Sequence, residues 1–384
     1  VLANTEISVS FNQNLNQVNF NPENFITVHG DTIIEGEYNT INNTLLFNPS
    51  NNLSYSTTYS VMYKDTDIDQ LWTFTTCDTN CNNINSATAW ATNPKIIKTE
   101  ETFGEVVETT PIIFNEIFLL IEFLREEGND SIHFSYQLRD INSNEIIINN
   151  EWGFGLGSAI VIGEKIYLFG STDWNDYDGP YSWSRKPNII GLTILDTSYN
   201  EINTDTLFYS SETETFFNTS VCTSPDGYTM AYEVKDEGLT SFSIRFRRST
   251  DLYNWEIIGE TLYSEKYAAC PTIRYFDGYY YIFYLNRDGI GEAYDLSTLL
   301  VRTNDFIIFE EFTGNQIFTP YVCVLSSNGF VNEGKNNSDI DLVEYRGQTY
   351  FFYHSGGNLN EGRGVEKLAI YPDRLNSFIK EYWN

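Results

Sequence analysis

Positive charge is scarce in this chain. Lysine and arginine total 22 against 53 aspartates and glutamates, a formal net charge of −31. Such a polymer repels phosphate backbones and anionic lipid, which excludes nucleic acid as a partner. Long apolar runs are missing too. No stretch of about 18 apolar residues occurs, so no membrane insertion is expected. Five cysteines in 384 residues are too few for a disulfide framework. Cys77 and Cys81 stand close enough to close a small loop, and Cys222 and Cys270 fall in successive repeats and could be neighbours. Zero to two disulfides suit a protein working outside the cell or on its surface. There are three histidines in all, none near a cysteine, so no Cys/His metal site is written in the sequence. The chain opens on Val1 in mid-strand, with neither Met nor a signal peptide, as a trimmed or processed chain would. Nothing in it reports an oligomeric state.

Aromatic residues are abundant: 27 Tyr, 27 Phe and 7 Trp. With 41% hydrophobic residues there is ample material for a core, and the length suits one large domain and one small one. Residues 1–76 break into short alternating segments such as ISVSFNQNL, FITVHG, TLLFNPS and LWTFTT, separated by Asn, Pro and Gly. That rhythm predicts a β-sandwich. The unit resembles the bacterial immunoglobulin-like modules, with Leu2-Ala3-Asn4-Thr5-Glu6-Ile7 early and Thr58-Tyr59-Ser60-Val61 near the end. The resemblance implies a spacer or docking module without chemistry. Residues 77–90, CDTNCNNINSATAW, read as a polar linker.

From there a two-strand cassette recurs. Its clearest copy is Asn337–Ser355, in which NSDIDLVEY alternates, Arg346-Gly347 turns, and QTYFFYHS runs aromatic and β-branched. Regular alternation predicts Asp339 and Asp341 on one face, about 7 Å apart. The other copies are Glu108–Phe123, Gly157–Gly170, Asn218–Glu233 and Cys270–Leu285. Repetition at roughly 50–70 residues, with room for four strands in each copy, is the signature of propeller blades. The expected fold is therefore all-β: an Ig-like sandwich over 1–76, then a five-bladed β-propeller over 91–384.

Two phrases, SFSIRFRRSTDLYNWEII and DGYYYIFYL, resemble the five-bladed propellers of the glycoside hydrolase group, families 32, 43, 62, 68 and 117. Phe217-Asn218-Thr219-Ser220-Val221, Ala269-Cys270-Pro271-Thr272-Ile273-Arg274-Tyr275, Asn337–Tyr345 and the terminal Phe378-Ile379-Lys380-Glu381-Tyr382-Trp383, read as a strand, resemble more closely a bacterial branch of that group. The resemblance implies an Asp at the head of the first inner strand, an Asp in the second blade and a Glu acid in the third. Counting back from each turn gives instead Glu108, Leu156 or Gly157, Asn218 or Thr219, Cys270, and Asp339. The trio is not reproduced.

Hydrolysis of a glycosidic bond needs two facing carboxyls, one protonated and one ionised. The candidates are Asp339, Glu233, Glu108 and Asp341. Asp339 has Asn337 and Ser338 beside it as donors. Glu233 follows Met230-Ala231-Tyr232 in an apolar strand, where burial would favour its protonated form unless Arg245 or Arg274 pairs with it. Glu108, beside Thr109, could be plain surface. The candidate ligand contacts are Arg274, Asn218, Asn337 and His354, with Asp173, Trp174 and Trp183 from the aromatic loop 172–187. No cofactor is required; Asp339 and Asp341 could alternatively hold a structural cation such as Ca2+ in the funnel. The expected partner is a carbohydrate. Two functions fit: a secreted glycoside hydrolase, or a non-catalytic glycan-binding or adhesion module of a surface or phage.

Overall fold

The computed structural model describes residues 7–10, 25–29, 32–41, 44–51, 53–54, 58–63, 71–75, 96–104, 106, 108–127, 132–171, 188–239, 242–288, 295–312, 317–318, 324–326, 329–331, 336–356 and 364–383. The proposed linker, 77–90, and the loop bearing Asp173, Trp174 and Trp183 lie outside them. The chain divides into two compact units. One comprises Val1–Lys98 with Tyr321–Asn332, the other Thr99–Pro320 with Glu333–Asn384.

In the first unit seven short strands form two antiparallel sheets, one of three strands and one of four. This is the sandwich read from the alternation. Thr27, Phe47, Leu53 and Tyr59 are buried within it. The short hairpin Val324–Ser326 and Gly329–Val331 groups with this unit rather than with the blades.

The second unit holds five four-stranded antiparallel sheets. Blade 1 starts on the inner strand Glu108–Phe114, blade 2 on Gly155–Ile162, blade 3 on Glu214–Ser224, blade 4 on Ala269–Phe276 and blade 5 on Asn337–Tyr345. Each cassette seen in the sequence is the inner hairpin of one blade. The inner strands touch in a closed ring: first to second, second to third, third to fourth, fourth to fifth, and fifth back to first. Blade 5 is completed by the strand Ile97–Thr102, which enters ahead of blade 1 and forms its outermost strand. Thr99 Oγ1 donates to the Leu368 carbonyl at 2.9 Å across that joint. The join ties the two ends of the ring together and leaves no open seam between first and last blades.

The seams between blades are apolar and aromatic. Phe123, Trp152 and Leu168 lie between blades 1 and 2, Phe169, Phe216 and Tyr232 between 2 and 3, and Phe246, Ile282 and Phe306 between 3 and 4. Phe118, Leu120, Phe352 and Leu368 join blades 5 and 1. Each fully buried ring of this kind contributes about 1.5–3 kcal/mol. Outer turns recur as well. Asp251 Oδ1 accepts from Tyr253 N and Asn254 N, and Asp305 Oδ1 accepts from Ile307 N and Ile308 N, all at 2.8–2.9 Å. These aspartates replace a strand partner for otherwise orphaned turn amides.

The terminal segment corrects one expectation. Leu375–Tyr382 is an α-helix, not a strand. Leu375, Phe378, Ile379 and Tyr382 recur at helical spacing. Phe378 is fully buried against Phe283, Phe351 and Tyr371, which closes the seam between blades 4 and 5. The Glu344 carboxylate accepts from Leu375 N at 2.8 Å, where the helix dipole favours negative charge.

Candidate active site

The site is assembled from the heads of the inner strands. In four blades the inner hairpin slips its register there: between Gly155 and Ser158, Phe216 and Thr219, Ala269 and Thr272, and Ser338 and Asp341. Three of these bulges carry a non-glycine residue in the left-handed region: Leu156 at φ 49°, Cys270 at 45° and Asp339 at 51°. A bulge breaks alternation and re-aims a side chain. Asp339 and Asp341 therefore do not form the regular same-face pair that alternation predicts. They take different partners.

Asp341 is buried and ion-pairs with Arg274 of blade 4. The same guanidinium donates to the Leu342 and Ile273 carbonyls at 2.7 and 2.8 Å. Leu342 N donates back to Asp341 at 2.6 Å. Burial raises the Asp341 pKa and the Arg274 charge opposes the rise. Arg274, expected as a ligand contact, is thus occupied as a brace between blades 4 and 5.

Asp339 accepts from Ser338 Oγ, and its charge acts on the Cys270 thiol. Its charge acts on Glu108, Glu233, Cys270, Glu366 and His354, groups drawn from four blades. It therefore sits at the electrostatic centre of the site. Asn337, expected beside it as a donor, is fully buried and gives its amide to the Asn336 carbonyl instead at 2.5 Å.

Glu233 is 5% exposed and accepts from Cys270 N at 2.9 Å. Neither arginine weighed as its partner reaches it. Arg245 is held by Glu214 and by Asp236, the latter at 2.9 Å, and Arg274 by Asp341. Burial therefore dominates and pushes the Glu233 pKa up to about 8, with the Asp339 charge adding to the rise and the Cys270 N–H opposing it.

Glu108 is not surface. It is 6% exposed and accepts from the Asn218 amide, which reaches it from blade 3. Burial raises its pKa well above the carboxylate range, and the charges of Asp339, Glu233, Glu366 and Asp341 raise it further.

Glu366 is a member that the sequence reading misses. It is fully buried on the third strand of blade 5 and accepts from Thr109 Oγ1 of blade 1 at 2.6 Å; burial raises its pKa well above the ordinary value, and the Thr109 bond opposes the rise. Its signal is the phase of VEKLAIY, where Glu366 shares a face with the buried Leu368. His354 stands directly across from both Ser338 and Glu366 in the blade 5 register. Burial lowers its pKa and the Asp339 charge opposes the fall. Cys222 and Cys270 are free thiols, not the bonded pair that their places in successive repeats allow. Among the described residues no group of three or more His, Cys, Asp or Glu is arranged to hold a metal. No helix among them is long and apolar enough to cross a membrane.

The arrangement sets Asp339 among three carboxyls, Glu233, Glu108 and Glu366, whose pKa values burial raises.

Comparison with known proteins agrees on the fold. Residues 1–76 match the bacterial Ig-like domain family. No curated protein matches the sequence. Among solved structures, the chain is similar to BT0996 in its RGII complex at 12% identity and a TM-score of 0.53, over 75% of this chain and 95% of that one. It is similar to a glycoside hydrolase at 12% identity and a TM-score of 0.52, over 76% and 95% of the two chains. A thermostable family-43 glycoside hydrolase follows at 14% identity and a TM-score of 0.49, over 72% and 91%. What the chain shares with the first two is a five-bladed propeller, here preceded by a bacterial Ig-like domain.

Proposed function

We propose that this protein is a glycoside hydrolase acting on a poly- or oligosaccharide outside the cell or at its surface. The Ig-like unit, residues 1–76, would serve as spacer or dock, and the blades within 91–384 would carry the chemistry. The observation that carries the reading is the contrast between Glu233, raised to about 8 by burial, and the Asp339 charge that acts on it from across the ring. In this reading Glu233 gives its proton to the leaving oxygen as the glycosidic C–O bond breaks. Asp339 either takes a proton from the attacking water or bonds the anomeric carbon. Glu108, closed onto Asn218, is a second protonated carboxyl in the same site. Arg274 and Asp341 brace the blades and stand outside the chemistry; His354 remains beside Asp339 as a ligand contact.

One observation favours the alternative, a non-catalytic glycan-binding or adhesion module. The blade 2 head is the apolar Leu156, and Glu108 is already engaged by Asn218. The test is a screen of glycan hydrolysis on algal and plant polysaccharides. Asp339→Asn and Glu233→Gln should each lower the rate on the order of a hundredfold or more, with both variants still unfolding cooperatively as folded proteins. Near-full activity in either variant removes that residue from its role. Glycan binding by wild type and both variants alike, with no cleavage by any, favours adhesion.

A further inference from the structure

We propose that Cys270 is a positioning residue of this site, holding Glu233 through its backbone N–H and keeping an uncharged thiol beside Asp339. The inference rests on the acid/base reading above for its catalytic meaning, but its structural content stands separately.

Cys270 occupies in blade 4 the position that Asp339 occupies in blade 5. Both stand at the register break of the inner strand, and both are left-handed. A left-handed non-glycine residue costs on the order of 1–2 kcal/mol. Here that conformation turns the amide toward blade 3, where Cys270 N meets Glu233 Oε2 at 2.9 Å. The thiol is close enough to both the Glu233 and the Asp339 carboxyls for their charges to act on it. One residue thus holds one member of the proposed pair and adjoins the other, and the two belong to non-adjacent blades.

The residue type suits the place. An aspartate at this head would add a further negative charge beside Asp339. A thiol is a weak donor that brings no charge as long as it keeps its proton. The groups facing it are Glu108 from blade 1, Glu233 from blade 3, Asp339 from blade 5, and Tyr267 in the segment that leads into blade 4. The first three, together with burial, oppose the thiolate. Cys222 offers the contrast. It packs in the apolar seam between blades 3 and 4 with Ala231, Ile244 and Ile273, where burial alone raises its pKa and the Arg274 charge opposes the rise.

The experiment measures alkylation of the full-length protein by iodoacetamide at pH 8–10, resolved by peptide mass spectrometry, with Cys222 as the internal reference. Removing a facing charge should release the Cys270 thiolate. Asp339→Asn is therefore expected to speed Cys270 alkylation about tenfold or more, one pKa unit being tenfold in thiolate. Glu233→Gln should do so above pH 8, where Glu233 carries charge, and Cys222 should keep its rate in both. Thermal unfolding checks that the variants remain folded. An unchanged Cys270 rate in both variants, or a rise shared by Cys222, overturns the proposal. On any glycan that the wild type cleaves, Cys270→Ala should lower kcat with little change in KM and displace the pH profile, and Cys270→Ser should restore most of both. A Cys270→Ala enzyme identical to wild type overturns the positioning role while hydrolysis stands. Thiol coupling without cleavage of any glycan keeps Cys270 in its place and removes the hydrolytic reading.

Discussion

Replacing Glu233 by Gln should change how stability depends on pH, whether or not a substrate is known. The Glu233 carboxyl rises from an ordinary 4.5 to about 8 on folding, because burial disfavours its ion. Between those values the folded state binds a proton that the unfolded chain has lost. Stability therefore falls as pH rises through this window. The contribution is fully present below about 4.5 and is lost as pH passes the folded value near 8. At about 1.36 kcal/mol per pH unit the window is worth at most about 5 kcal/mol. Gln is neutral throughout and keeps an oxygen for Cys270 N–H. The variant should match wild type near pH 5 and exceed it increasingly toward pH 8, by up to about 10 °C in melting temperature at about 2 °C per kcal/mol. Glu108 and Glu366 act in the same direction but are common to both proteins, so the difference between the two isolates Glu233. Melting curves at half-unit steps from pH 5 to 8 test this. Parallel curves for the two proteins would refute the claim that burial holds this proton.

Breaking the brace between blades should be costly. Arg274→Met leaves the buried Asp341 carboxyl without its cation and should lose about 3 kcal/mol or more at pH 7; Asp341→Leu added to it should recover part of that loss, and a single variant within 1 kcal/mol of wild type by urea unfolding would show that the pair is not coupled. Phe378→Ala empties the seam between blades 4 and 5 and should cost about 3–5 kcal/mol, read as an earlier unfolding transition; no loss would mean that the terminal helix is dispensable to the ring. On any glycan that the wild type cleaves, Asp339→Asn should lower the rate on the order of a hundredfold or more and also lower the pKa of Glu233, moving the alkaline limb of the residual activity to lower pH.

The blades are legible in the sequence because their inner hairpins are chemically loud. Tyr279–Leu285 and Thr349–Tyr353 are runs that only a strand buried on both faces would carry, and Asp277-Gly278 and Arg346-Gly347 announce the turns between strands. The terminal helix reads as a strand because Phe378 to Trp383 is short and aromatic at both ends; the 375, 378, 379, 382 spacing is the better guide. The bulges are not legible. Leu156 and Cys270 give no signal of a left-handed backbone and a lone Asp gives only a weak one, so regular alternation pairs Asp339 with Asp341. Arg274 looks available for the same reason: its partner lies on another blade, beyond the reach of local pattern. Glu366 escapes because it belongs to a third strand, outside the repeated hairpin.

The recurrence of the bulge explains how a site can persist without the expected acids. A regular strand commits each residue to one face of its sheet, and in a propeller both faces are packed against neighbouring blades. The register breaks of blades 2 to 5 re-aim a residue at the same place in each inner strand, whatever stands there. Glu108 joins the site from the unbroken inner strand of blade 1, beside the heads Leu156, Asn218, Cys270 and Asp339. Chemistry then depends on which heads are acidic rather than on which blade bears them. Here the proposed base, Asp339, stands on blade 5, and the proposed acid, Glu233, on the second strand of blade 3, where the amide of the blade 4 head holds it. An arrangement of this kind moves the proposed acid and base around the ring while leaving the backbone that displays them unchanged.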